Sequence, residues 1–497
     1  MGISKSKFIA GLSCEKRLFL EVNNPEYKTP LSASQEAKFN SGHRVGALAQ
    51  AYFSGGVNAE PQGERNFPEW INSTRLFLDE KRPIIYEAAF SHEGSFCALD
   101  ILVREGEDLV AFEVKGSKEA KDIYVIDAAY QYYVMSKLGF QPKRFYLLLI
   151  DGNYIRGKEL ELEKLFQKVD ITDRVLTLQD DVVEKLNQFG AMLKEGVEPE
   201  RAIGPHCSSP YSCPFYGHCS KHLPEINPIT NLRGSSEKVW DLHGKKIYSI
   251  ESIPTNYPLQ KRQWPQVNGV KNGEEIIDIR SIKKFVDAVK YPLHFFDFET
   301  LWPAIPLAEG ISPFGHLSFQ YSMHVMNAEG ELYHREYLAN PEEIHRGMNT
   351  EYELIQQMKI DFNSEGSIVA YNATFEINRI KNMIKRFPRE ADFLRDLIDR
   401  FVDLMVLFRP QNIYYLPAMN GSYSIKEVLP AIAPEFSYSD LVINNGGDAS
   451  SIFEAKCSGV EDENWEHTKT ALLKYCERDS YGMVVIWNHL NGLITLP

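Results

Sequence analysis

At 497 residues the chain is too long for one ordinary domain and calls for two or three. Its hydrophobic content of 43% and aromatic content of 12% support substantial cores and exclude a disordered chain. A net charge of −14 excludes a polycation that coats nucleic acid without discrimination, while leaving room for metal-binding acids beside a local basic groove.

The N-terminal stretch "MGISKSKFIAGLSCEKRLFLEV" has Lys, Cys, Glu and Arg among its apolar residues and does not read as a secretory signal. The apolar run "FYLLLI" has only the length of a strand, no run is long enough to cross a bilayer, and a cytoplasmic protein without membrane partners is expected. Residues 5–22 predict a helix, with Phe8, Leu12 and Phe19 on one side and Ser4 as its cap. Residues 84–150 change character. "PIIYEAAF", "FCALDILV" and "LVAFEVKG" are strand-like runs joined by short polar connections, followed by the helical "KDIYVIDAAYQYYVMSKLGF" and the strand "RFYLLLI". The expected order is three antiparallel strands, a helix and a further strand.

Within this block Asp100 lies in "ALDILV", and Glu113 and Lys115 lie in "AFEVKG". Residues two apart on a strand share a face, so Glu113 and Lys115 project together, and Asp100 comes from the neighbouring strand. Two carboxylates can hold a metal that polarises a phosphate, and a lysine beside them can orient or deprotonate a water or offset charge on phosphorus. An exposed cross-strand ion pair is the other reading. Gln131, on the following helix, joins the group if it faces the same cleft.

Seven cysteines in a long cytoplasmic chain do not suggest a disulfide framework. Three of them, Cys207, Cys213 and Cys219, recur with five residues between neighbours in "HCSSPYSCPFYGHCSKH". A zinc site using these three with His218 or His222 is one reading, although the triplet lacks the close pairs of many structural zinc sites. Residues 226–290, rich in Pro, Asn, Gly and charge, read as a connector, which divides the chain into domains at 1–225 and 291–497.

The second domain opens with "HFFDFETLWP". Strand alternation puts Asp297 and Glu299 on one face and Phe296 and Phe298 on the other. Two like charges at that spacing repel and lose hydration, whereas a hard divalent cation such as magnesium or manganese would hold them. In "IVAYNATFEINRIKNMIKRF", Asn372 is positioned as a helix cap, and Glu376, Ile380, Met383 and Phe387 then share one face. In "TALLKYCERDSYGMVVIWNHL", Leu472, Tyr475, Asp479, Met483 and Ile486 share another. Three separate segments each turn carboxylates inward, and a shared metal site explains all of them.

Asp100, the "EVK" at 113–115 and the helix carrying Gln131 resemble the PD-(D/E)xK nucleases of the RecB type. The resemblance implies an α/β restriction-endonuclease-like domain with Asp100 and Glu113 as metal ligands and Lys115 and Gln131 in catalytic positions. Cys14 with the late triplet is similar to the iron–sulfur staple of AddB-like and CRISPR-associated RecB-like members. It implies that Cys14, Cys207, Cys213 and Cys219 bind a 4Fe–4S cluster. Related nucleases carry a metal-binding histidine in a Gly-x3-His pattern on an early helix; here "SGHRVGALA" has Gly46 at that place and His43 almost a turn away.

The second domain resembles the DEDD exonucleases of the DnaQ-like, RNase H-like fold. "FDFET" matches their first motif with Asp297 and Glu299. "YNATFE" matches the second, with Glu376 where most members have Asp, and "YCERD" matches the tyrosine form of the third, Tyr475-x3-Asp479. The resemblance implies two magnesium or manganese ions held by these acids, a water oriented by Tyr475 and 3′ to 5′ hydrolysis. Asp403 is either a supporting acid or a helix cap. Together the two resemblances point to a bacterial fusion of a RecB-like nuclease with a DEDD exonuclease. It would act on DNA ahead of RNA, in repair or in defence against foreign DNA. An RNA-trimming exonuclease and a nucleic-acid-binding scaffold with an inactive site are the alternatives, and the sequence specifies no protein partner.

Overall fold

The computed structural model describes residues 2–31, 33–63, 66–234, 236–409 and 413–495. The protein is a mixed α/β chain of two compact units, one of Met1–Lys221 with Ser312–Phe314 and the other of His222–Ile311 with Gly315–Pro497. Among the described residues, no helix is long and apolar enough to cross a membrane.

The first unit is built on a sheet ordered β1-β2-β3-β4-β5-β6, comprising Val57–Asn58, Ile84–His92, Ser95–Glu105, Asp108–Lys115, Arg144–Ile150 and Phe166–Asp170. Strands β2, β3 and β4 run antiparallel, as their short connections predict. β5 joins β4 in parallel, which requires a crossover, and the helix Asp122–Lys137 supplies it. The edge strands β1 and β6 were not foreseen. Ala128, Ala129, Tyr130 and Val134 of the crossover helix are buried against Leu99, Ala111 and Leu147 of the sheet.

The helix expected over 5–22 is two helices, Lys5–Ser13 and Glu15–Asn23. Between them Cys14 is extended, with φ −168° and ψ 121°. Apolar periodicity continues across the break because both helices bury residues in this unit, Phe8 and Ala10 before it and Leu18, Phe19 and Leu20 after it. Ser4 occupies the N-cap position without a side-chain cap bond.

The second unit contains a sheet ordered β10-β9-β8-β11-β12, comprising Leu332–Leu338, Leu317–Met326, Leu293–Leu301, Ile368–Ala370 and Phe401–Asp403. β8 pairs antiparallel with β9 and parallel with β11, so it lies inside the sheet. A separate two-stranded antiparallel sheet pairs β7, Ile276–Ile277, with β13, Tyr414–Tyr415. Each face of the main sheet has its own core: Phe295, Phe319, Leu472 and Trp487 pack in one, and Phe296, Phe298, Ile380 and Met383 in the other. Residues 226–290, expected as a connector, fall within this unit. They hold a small core of Ile229, Leu232, Val239, Leu242, Ile250, Ile253 and Val267. Its apolar residues are spread thinly among Pro, Asn and Gly, which hides the core from a reading of composition.

Candidate functional sites

In the first unit Asp100 comes from β3, Glu113 and Lys115 from β4, and Gln131 from the crossover helix. Pleating turns Glu113 and Lys115 to one side, where Lys115 Nζ lies 2.7 Å from Glu113 Oε1 and 2.7 Å from Asp127 Oδ2. Gln131 Nε2 donates to Glu113 Oε2 at 2.7 Å, so Gln131 does face this cleft. The Val114 N–H donates to Asp100 Oδ2 at 2.6 Å. Lys5, from the first helix, also reaches Glu113 Oε1 at 2.9 Å. Lys5 and Asp127 were not foreseen: nothing in local periodicity links residue 5 to residue 113, whereas Asp127 stands one helical turn before Gln131 and could have been found by that spacing.

The network fixes the charges. Burial alone would raise Glu113, but Lys115, Lys5 and the Gln131 amide hold its carboxyl well below the usual range. Burial pushes Asp100 up to about 7, with the Glu113 charge adding to it. Lys115 stays protonated: burial acts against the ammonium, and Asp127, Glu113 and Asp100 outweigh it. Lys115 is therefore suited to orienting water or offsetting phosphate charge, and not to serving as a base. Glu87 of β2 is a further acid at this site, pushed up to about 8 by burial and then by Asp100. Its φ of 51° is strained for a residue with a Cβ. His43 is exposed on its helix, and a Cβ placed at Gly46 meets nothing within 4 Å.

Cys14, Cys207, Cys213 and Cys219 line one cavity, with Lys16, Arg17 and Arg201 in the same wall. The break at Cys14 thus falls at the residue whose thiol joins the late triplet. Burial raises the three late thiols, while Arg201 acts on Cys207, Arg17 on Cys213 and Lys16 on Cys219 to favour thiolate. One tetrahedral zinc would hold its sulfurs about 3.8 Å apart. Among the described residues, none of these thiols belongs to a ligand group gathered within 4.8 Å. Neither histidine of the zinc reading lines this cavity: His222 bonds His243 at 2.9 Å, and His218 stacks on Tyr27 with its Nδ1 buried and unpartnered among the described residues.

In the second unit Asp297 and Glu299 extend from β8 toward the helix Trp465–Thr495, which carries Tyr475 and Asp479. Asp297, Glu299 and Asp479 each place a carboxylate oxygen within 4.8 Å of the others. Glu299 and Asp479 are 8% exposed and Glu376 is 2% exposed. Glu376, in the first turn of the helix Ala373–Arg386, interacts with Asp297, and its Oε2 is buried with no hydrogen-bond partner among the described residues. Burial and then the neighbouring carboxylates raise Asp297, Glu299 and Glu376 well above their usual values. Burial also raises Asp479, against hydrogen bonds from Tyr438 and Tyr475 and the charge of Lys426.

Tyr438, which donates to Asp479 Oδ1, and Lys426, whose Nζ is 5.2 Å from the rings of both Tyr438 and Tyr475, were not foreseen. "FSYSD" and "SIKEVL" are ordinary loop and helix sequence, and only the tertiary structure brings them to the site. Gly446 begins the helix Gly446–Cys457 beside the same acids; a Cβ there would lie 3.6 Å from both Glu299 Oε2 and the Tyr475 hydroxyl. Asp403 is a cap: its Oδ1 accepts from the N–H groups of Met405 and Asn372, and its Oδ2 pairs with Arg409 at 2.9 Å. Asn372 stands at the N-cap with φ 87°, but its side chain makes no cap bond. The Asp403 carboxylate, bonded to its N–H, supports that conformation.

A family model described as a domain of unknown function, DUF2779, matches residues 294–424. That span includes Asp297, Glu299 and Glu376 and ends before Tyr475 and Asp479. The chain is also similar to an uncharacterized protein, MG366 homolog, of Mycoplasma pneumoniae, at 27% identity over 251 residues, 47% of this chain and 36% of that protein. It is 25% identical over 220 residues to the uncharacterized protein UU173 of Ureaplasma parvum, 40% of this chain and 31% of the relative. The chain thus spans about a third of the length of these relatives.

Proposed function

We propose that the chain is a metal-dependent nuclease with two active sites, hydrolysing phosphodiester bonds of DNA. The carrying observation is the gathering of Asp297, Glu299 and Asp479 within 4.8 Å, with Glu376 buried beside Asp297. Carboxylates crowded in a poorly hydrated place repel unless protons or cations intervene. Hard oxygen donors alone fit magnesium or manganese, and the unpartnered Glu376 Oε2 is suited to serve as a further donor.

Asp297, Glu299, Glu376 and Asp479 would hold ions in the second unit, and Asp100 and Glu113 in the first. Divalent ions so bound supply a Lewis acid for the phosphoryl oxygens and lower the pKa of water. Burial and the Asp479 charge push the Tyr475 hydroxyl up, so it stays protonated and orients a water without deprotonating it. Tyr438 holds Asp479 in place through its Oδ1. Lys426, the cation beside both rings, offsets negative charge that builds on the scissile phosphate. In the first unit protonated Lys115 serves that purpose, and Gln131 fixes the Glu113 carboxylate.

The four cysteines around one cavity, with three cations in its wall, suit an anionic 4Fe–4S cluster. Cys14, Cys207, Cys213 and Cys219 would be its ligands, tying the start of the first unit to its end.

The test is cleavage of labelled single- and double-stranded DNA and RNA by the purified chain, with magnesium or manganese. Stepwise 3′ shortening of DNA is expected, and is lost in Asp297→Asn. Equal shortening by that variant, or no metal-dependent cleavage of any substrate, overturns the proposal. Trimming of RNA in preference to DNA moves the reading to an exoribonuclease.

A further inference from the structure

His324 of β9 and His334 of β10 are direct partners in the antiparallel ladder, and their rings stack at 4.5 Å between centroids. Glu477, on the helix Trp465–Thr495, joins them: one ligand atom from each of the three residues lies within 4.8 Å of the others. None of the three serves the nuclease reading.

A pair of serines orients the rings. His324 Nδ1 bonds Ser480 Oγ at 2.9 Å, His334 Nε2 bonds Ser322 Oγ at 2.8 Å, and the two hydroxyls bond each other at 2.7 Å. One nitrogen of each imidazole is thereby fixed. The other, Nε2 of His324 and Nδ1 of His334, has no hydrogen-bond partner among the described residues. Hydroxyl or carbonyl groups on the far nitrogen are how ligating imidazoles are held toward a metal. His324 is 5% exposed, so bulk water has little access to its ring. Glu477 is not buried and leaves a side of the group open. Glu336, two residues beyond His334 on the same strand face, adds negative charge beside it.

We propose that His324, His334 and Glu477 form a binding site for a borderline divalent transition ion, zinc in the first instance, separate from the carboxylate site. Two imidazole nitrogens and one carboxylate oxygen suit zinc, cobalt or nickel; magnesium prefers an all-oxygen octahedron. Such an ion ties β9 and β10 to the helix that carries Tyr475 and Asp479, and its remaining positions go to water. The inference does not depend on the nuclease reading.

The full chain is titrated with Co2+ in excess Mg2+ and followed by visible absorption and by metal content after gel filtration. Wild type should take up about one Co2+ more than His334→Ala, with a visible band from nitrogen and oxygen ligation. Glu477→Gln, a change at a position that is not buried, should weaken that uptake at least about tenfold. Asp297→Asn, which lowers charge at the carboxylate site, should keep the band. Identical uptake and spectra in wild type, His334→Ala and Glu477→Gln overturn the proposal, as does a wild type with no such band. If His334→Ala fails to fold, the Glu477→Gln comparison decides alone.

Discussion

Lys5 Nζ lies 2.9 Å from Glu113 Oε1, joining the first helix of the chain to a strand 108 residues later. Lys115 bonds the same oxygen, Gln131 occupies the other, and Val114 holds one oxygen of Asp100. An ion taken up at Glu113 Oε1 would compete with both ammonium groups. In Lys5→Met the metal-free protein should lose about 1.5–3 kcal/mol, the usual cost of a charged hydrogen bond. The same variant should bind Mn2+ more tightly. Thermal melts with increasing Mn2+ read both effects, and an unchanged or weaker metal-induced shift contradicts the competition.

Asp297→Asn should raise the melting temperature of metal-free protein at pH 7 to 8 and reduce the rise produced by magnesium. The sign follows from the raised carboxyls of Asp297, Glu299, Glu376 and Asp479. A group with a raised folded-state pKa contributes stability that is complete below its unfolded value and is lost as pH rises through the folded one. Metal-free wild type should therefore lose stability from the ordinary carboxylate range upward through neutrality. Saturating magnesium should flatten that slope. Melts across pH with and without metal check it, and a slope of the opposite sign is the contrary result.

Tyr475→Phe removes a hydroxyl that lies beside Gly446 and hydrogen-bonds Asp479, without removing a carboxylate. Trimming of a 3′-labelled strand should slow by about 10²-fold or more, the scale of a lost positioning or proton-transfer group. The magnesium-induced melting shift should stay near that of wild type. Loss of the metal shift together with activity would make Tyr475 part of the ion site.

Protein purified anaerobically should be brown and carry about four iron and four sulfide per chain. Cys213→Ala should lose the colour and lower the stability of the first unit, because its thiol lines the cavity shared by Cys14, Cys207 and Cys219. Stoichiometric zinc without iron, from iron-sufficient cells, contradicts the assignment.

The acids of the second site were legible because alternation on β8 and helical spacing on two helices are properties of neighbouring residues. The same rules placed Glu113 with Lys115 and gave the antiparallel β2-β3-β4. They could not show Lys5, Lys426 or Tyr438, each of which meets its site through a fold that closes long stretches of chain; Asp127, one turn before Gln131 on the same helix, was within reach of helical spacing. The break at Cys14 escaped for a related reason. Hydrophobic spacing reports which residues are buried, and burial continues on both sides of the one extended residue. Asp403 could be weighed in sequence only as an acid before an apolar run; its N–H donors and Arg409 identify it as a cap.

The two-sided burial of β8 also guards against misassembly. Phe296 and Phe298 pack in one core, while Asp297 and Glu299 point to the other side of the sheet. Sliding this strand by a single residue against β9 would drive both carboxylates among Phe362, Ile380 and Met383 and turn the two rings toward the acids. Each stranded carboxylate would cost several kcal/mol, a penalty that ordinary apolar strands do not impose on slippage. Phe296, Asp297, Phe298 and Glu299 together thus make one strand alignment far better than its neighbours.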